Sequence, residues 1–169
     1  MPYTMKTEGL AELSEMLSQL GEEAPGIAAG SLYEGAGMMA DALNAGAETI
    51  KTEPFHYVAV PGAVMRLPSP EEKAIVVEAA AGIAKFNKNG TEVDTSVGFR
   101  NAGYATLNGK TVPIPKIVNA INSGTSFMKK QPFVRKSASK ATPKVLAKMK
   151  QYIEEAFVAI GKTYVPSKK

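Results

Sequence analysis

Val112–Lys136, VPIPKIVNAINSGTSFMKKQPFVRK, holds a strand end, a short apolar helix, a turn and the start of a second helix within 25 residues. Pro113 and Pro115 keep its first residues out of any central strand, because proline gives no amide to a ladder. Ile117, Val118 and Ile121 fall on one face of a helix over 116–122, which Gly124 closes before Thr125-Ser126 turns away. Pro132-Phe133 then opens the last helical region, with Phe133 as a core anchor. The hydroxyl residues here are turn formers, since no histidine lies near them to activate a nucleophile.

Downstream, Thr142 is placed to cap and Pro143 to break or restart the helix. Val145, Met149, Tyr152, Ile153, Ala156 and Ile160 trace one apolar face, and residues 161–169 read as a tail. Upstream, Asn108-Gly109 is a tight turn between strands Tyr104–Leu107 and Lys110–Ile114. Thr91–Arg100 alternates Val93, Thr95, Val97 and Phe99 and reads as one strand, preceded by a turn at Asn87–Gly90. Ser69-Pro70-Glu71-Glu72 is a capping box with proline at the first helical position, opening a helix that Gly82 ends. Residues 57–60 and 63–67 read as short strands around Pro61-Gly62.

The N-terminal third is helical by period. Leu10, Leu13, Met16, Leu17 and Leu20 lead to Gly21, a stop or kink, after a short strand over 3–7. Ala28, Leu32, Ala36, Met39, Leu43, Ala47 and Ile50 continue the stripe, interrupted by Gly26, Gly30, Gly35, Gly37 and Gly46. Each glycine costs about 1 kcal/mol against alanine inside a helix. Such a helix needs a closely packed neighbour.

The chain has 169 residues, no cysteine and one histidine, His56. Thiolate metal sites and disulfides are excluded, and a single histidine leaves little for metal or general-base chemistry. No secretory leader and no apolar run of membrane length is expected. Residues 1–128 carry 9 Lys and Arg against 14 Asp and Glu, a net of −5. Residues 129–169 carry 11 against 2, a net of +9. This polarity suits head-to-tail contact between copies, or a basic end beside nucleic acid. No phosphate loop, nucleophile elbow or zinc motif is present, and the paired acids Glu22-Glu23, Glu71-Glu72 and Glu154-Glu155 point apart on a helix.

The order of residues from Gly109 to Ser137 resembles the HK97 gp10-like family of tailed phages, described as tail-component, neck or head–tail connection proteins. Asn122-Ser123-Gly124-Thr125-Ser126, the lysine link and Gln131-Pro132-Phe133-Val134-Arg135 carry the likeness. Thr7–Leu13, Ser69–Glu72, Gly82–Ala84 and Gly98–Tyr104 extend it along most of the chain. The glycine-rich helix departs from the pattern, being more charged in the family.

The resemblance implies one domain over 1–169 with an α+β fold: a long N-terminal helix, a small antiparallel sheet with an inserted short helix, and a C-terminal helix. It implies a non-enzymatic virion protein, made in the bacterial host cytoplasm, without cofactor or membrane contact. Its expected partners are its own copies in a ring, neighbouring neck, connector or tail-tube proteins, and DNA in the channel. Candidate subunit-contact residues are Gly124, Thr125, Ser126, Lys129, Lys130 and Arg135, with Phe99, Arg100 and Tyr104 meeting a neighbouring ring. The competing expectation is a nucleic-acid-binding module that uses the basic residues 129–150.

Overall fold

The structure, a computed structural model, describes residues 10–54, 65–89, 92–99 and 102–163. Helix α1 runs Leu10–Glu48, α2 Pro70–Ala79, α3 Ile114–Ser123 and α4 Phe133–Thr163. Six short strands lie between them: β1 Gly82–Ile83, β2 Asn87–Asn89, β3 Glu92–Asp94, β4 Val97–Gly98, β5 Tyr104–Leu107 and β6 Lys110–Pro113. They form three two-stranded antiparallel ladders, β1–β4, β2–β3 and β5–β6. The fold is therefore α+β, with the long first and last helices that the sequence implies. The expected strands over 3–7 and 57–60, the turn at Pro61-Gly62 and residues 164–169 lie outside the described residues.

Helix α1 continues through Gly21 and Pro25 for 39 residues, so the expected stop at Gly21 is absent. An interior proline costs about 3 kcal/mol or more, because it removes an amide donor and crowds the carbonyl four residues back. That carbonyl belongs to Gly21, where no side chain adds to the crowding. Long packing against α4 outweighs the loss. Pro143 likewise sits inside α4 without ending it. Thr142 does not cap there; its hydroxyl donates to the Ala138 carbonyl at 2.8 Å. Residues 161–163 complete α4 and are not tail.

Three of the six glycines inside α1 explain themselves by what touches them. A methyl group at Gly30 would run into the Tyr152 ring, and one at Gly46 into the Ser137 side chain. At Gly35 it would stand 2.6 Å from Met149 Sδ. Gly21, Gly26 and Gly37 face open space. The pairs 30 with 152, 35 with 149 and 46 with 137 make α1 and α4 an antiparallel pair in close backbone approach. Ser31, fully buried, donates across this seam to the Met149 carbonyl at 3.3 Å.

The region read as one strand over 91–100 is two. Ile83 faces Val97, and Asn87 faces Asp94. Residues 84–86 thus stand opposite only 95 and 96, an extra residue of the kind that bends a strand. The Thr95 hydroxyl donates to the Ala84 carbonyl at 2.8 Å and the Ala84 amide to the Ser96 carbonyl at 2.8 Å, which holds the break together. Asn87–Asn89 belong to a strand and not to the expected turn, whose Gly90 lies outside the described residues. Phe86, released by the bulge, stacks on Tyr33 of α1 with ring centroids 6.2 Å apart.

Around this frame the apolar core gathers Leu43, Ala47, Ile50, Val76, Phe99, Ile114, Ile117, Val118, Ile121, Met128 and Phe133. The Asn44 side chain accepts the Ala81 amide at 2.6 Å, and Lys73 Nζ donates to the Glu48 carbonyl at 2.6 Å. These bonds fix α2 against the end of α1. Asn108 and Gly109 take positive φ of 51° and 74°, as an Asn-Gly hairpin requires.

The residue that ends α2 is Ala80, before the expected Gly82. It holds φ 51° and ψ 154°, a conformation suited to glycine. Ala80→Gly is expected to raise stability by about 1 kcal/mol, read as a higher urea midpoint with an unchanged slope.

Candidate functional site

The 25-residue stretch that opened the reading folds into a junction where four chain segments meet. Gly124, at φ 79°, ends α3, and its amide donates to the Ala120 carbonyl at 2.9 Å. Lys130 packs 3.1 Å from where a side chain at Gly124 would begin, so glycine is needed here for space as well as for φ. The Thr125 hydroxyl accepts the amides of Phe127 and Met128 at 3.3 and 3.1 Å, and the Thr125 amide donates to the Met128 carbonyl at 3.1 Å. This turn buries Met128 in the core and leaves Thr125, Ser126 and Phe127 outside.

The other three segments then attach. Arg66 forms a parallel bridge with Met128: its amide donates to the Phe127 carbonyl at 2.9 Å, and its carbonyl accepts the Lys129 amide at 2.8 Å. The Gln131 side chain pairs with the backbone of Lys51 as a strand would, accepting its amide at 2.9 Å and donating to its carbonyl at 2.8 Å. The Gln131 amide returns to the Ile121 carbonyl at 2.8 Å, and Asn122 Oδ1 accepts the Val134 amide at 3.2 Å in the first turn of α4. Most of the junction's backbone amides have a named partner, which ties the turn to its neighbours.

Arg66 is itself held by charge. Its guanidinium meets the Glu72 carboxylate in a two-pronged pair, both contacts at 2.6 Å. Glu72 also accepts the Ser69 amide at 2.7 Å, and the Ser69 hydroxyl accepts the Glu72 amide at 3.1 Å, completing the expected capping box. Burial pushes the Glu72 carboxyl up. The bonds from Arg66 and Ser69, together with the guanidinium charge, outweigh it and hold the group below the usual 4.5. The same hydrogen bond raises Arg66, against the opposing effect of burial.

Of the expected contact residues, the junction presents Thr125, Ser126, Lys129, Lys130 and Arg135 to solvent, while Gly124 is a half-buried cap. Tyr104 opens β5 and is 73% exposed. Phe99 is a correction: it is 6% exposed and lies edge-on to Phe133 at 6.1 Å, so it is core and faces no neighbour. Phe99 shares one side of the alternation with Val97, which also packs against the core. Phe133 is core, as its place at the helix entry indicates. Arg100 lies outside the described residues.

Two surface features escaped the sequence reading. Phe127 is 61% exposed because the Thr125 turn aims Met128 inward in its place. The bridge register sets Met65, also exposed, alongside it on the same side. The second feature is the set Lys136, Lys140, Lys144 and Lys148, spaced four apart along α4, a pattern readable from the sequence. Among the described residues the ion pairs are Arg66–Glu72 and Lys150–Glu154. Among the described residues, acidic α1 and basic α4 therefore lie side by side with no ion pair across their seam.

Chemistry finds less to work with. A cavity of about 350 Å³ between the end of α2 and the bulged hairpin is lined by Ala79, Ala80, Ile83, Ala84, Ser96 and neighbours, with no titratable group among the described residues. No cluster of three or more metal-ligating side chains occurs among the described residues. No helix among them is long and apolar enough to cross a membrane. No family model, curated protein or solved structure matches the chain. The junction's exposed side chains stand on a backbone tied to Lys51, Arg66 and Ile121.

Proposed function

We propose that this chain is a non-enzymatic structural subunit of the neck or tail-completion region of a tailed phage or prophage. In this reading it closes into a homo-oligomeric ring that helps to join head and tail, is made in the host cytoplasm and ends in the virion. The resemblance of Gly109–Ser137 to the HK97 gp10-like family motivates the assignment. The observation that carries it is the junction: a turn between α3 and α4, tied to Lys51 and Arg66, that exposes Phe127, Lys129 and Lys130. A surface of this kind suits repeated contact between copies, and a ring needs contacts of the head-to-tail kind.

Mass measurement of the chain in solution and in particles tests the reading. The expected result is a closed oligomer, or a monomer that becomes a fixed-copy component of virions. A chain that stays monomeric and never enters particles overturns it.

A second reading, a nucleic-acid-binding module, has the four-residue spacing of lysines along α4 in its favour. It expects retention on DNA at about 50 mM salt that falls steeply as salt rises. Lys129→Ala, Lys130→Ala and Arg135→Ala together should abolish that retention. No retention at low salt sinks this alternative.

A further inference from the structure

The seam between α1 and α4 opens on one side into a groove of about 410 Å³. Ala42, Ala45 and Ala141 form its apolar floor, and Lys136, Lys140 and Lys144 line it on the α4 side. The α1 side is bordered by the other sign. Glu34, Asp41 and Glu48 recur every seventh residue and form one row along α1. At the helical turn, Asp41 and Glu48 stand about 40° and 60° to one side of Ala45, and Ala42 stands about 60° to the other, towards the seam. The face therefore runs from an acid row, across an alanine floor, to a lysine row. These three acids and three lysines are all exposed, and none belongs to an ion pair among the described residues.

The two rows are also matched in height. Gly30 meets Tyr152, Gly35 meets Met149 and Gly46 meets Ser137. Because both helices rise equally, Glu34, Asp41 and Glu48 stand level with about residues 149, 142 and 135 of α4. Lys148, Lys140 with Lys144, and Lys136 occupy those levels on the far side of the floor.

We propose that two copies pair through this face about a two-fold axis running along the groove. Such an axis preserves height and exchanges left with right, so the acid row of each copy lies over the lysine row of the other. Glu34 then meets Lys148 of the second copy, Asp41 meets its Lys140 and Lys144, and Glu48 meets its Lys136, each contact occurring twice. Helix α1 faces the second copy's α4 antiparallel, and the two hairpins form a four-helix bundle. The alanine floors let the hairpins approach closely, and the lysine stems cover the floor's edges. A second copy fits because this chain itself supplies the opposite charge at each level. A nucleic acid is drawn to the lysine row but repelled by the acid row along the same groove. The contact is isologous and closes at two copies, so it is separate from the head-to-tail contact of a ring and does not depend on it.

The cysteine-free chain makes the test direct. Full-length Ala45→Cys sets its thiol beside that of the second copy, at equal height across the axis. Treated with a short bismaleimide at low salt, it is expected to give a covalent dimer and nothing larger. Leu146→Cys, also exposed but about 160° around α4 from Lys144, should give none. In the Ala45→Cys chain, Lys136→Glu with Lys140→Glu should cut the dimer yield about tenfold or more. Adding Asp41→Lys with Glu48→Lys to that same chain should restore it, because the rows have exchanged signs. Far-ultraviolet circular dichroism checks that each variant keeps its helices. No dimer from Ala45→Cys, equal dimer from Leu146→Cys, or a yield indifferent to charge reversal in folded variants overturns the pairing and leaves the ring reading intact. DNA retention lost on lysine reversal, with no Ala45→Cys dimer, overturns the pairing and gives the lysine row to phosphate.

Discussion

Phe133→Ala is expected to lower folding stability by about 3–5 kcal/mol, the range for emptying a buried aromatic site. Phe133 begins α4, meets Phe99 edge-on and lies in the same core as Met128 and Ile121. Its loss therefore loosens the helix entry, the hairpin end and the junction together. Urea unfolding with a lowered midpoint checks it. Phe127→Ala provides the contrast. That ring is mostly in solvent, so stability should stay within about 0.5 kcal/mol of the parent while assembly weakens. If Phe127→Ala unfolds the chain and Phe133→Ala does not, the inside and outside of the junction have been exchanged.

Arg66→Ala is the second large effect. It strands the Glu72 carboxylate, whose side chain is 7% exposed, without its guanidinium. Removing one partner of a buried pair costs about 3–5 kcal/mol. Arg66 keeps 19% of its side chain in solvent, so screening brings the expectation down to about 2–4 kcal/mol. Arg66→Met with Glu72→Gln should be milder than Arg66→Ala, because no bare charge remains. Acid titration reads the same pair. Glu72 is held below its usual value, so its contribution is complete above pH 4.5 and is lost as pH falls through the depressed value. Stability should decline over that acid range in the parent chain and decline less in Arg66→Ala. An acid limb that is identical in both would detach Glu72 from Arg66.

Much of this fold was legible where a single local rule decided the outcome. Ser69–Glu72 is a capping box because the hydroxyl and carboxylate reach backbone amides three residues away. Asn108-Gly109 is a hairpin because few other pairs accept two positive φ angles. The period of Ile117, Val118 and Ile121 gave the buried face of α3. The reading failed where local rules were overridden from a distance. Gly21, Pro25 and Pro143 are breakers in isolation, but the α1–α4 seam carries the helices through them. The bulge at 84–86 splits a well-alternating strand because pairing, which no alternation encodes, decides register. At the site, exposure of the lysines followed from charge alone. That Phe127 faces out and Met128 in depended on the bridge to Arg66, a residue more than 60 positions away in the chain.

The three close-contact glycines have a mechanical meaning. Gly30, Gly35 and Gly46 act as notches cut into one rod, with Tyr152, Met149 and Ser137 as the teeth of the other. They spread over 16 residues, about 24 Å of axis at the helical rise. Sliding either rod lengthwise must lift every tooth against the fuller side chains between the notches, so the seam resists shear through steric interlock. Hydrophobic area alone gives no such resistance, being nearly indifferent to small displacements along the axis. A subunit built this way transmits a pull along α1 to the base of α4 with little stretch.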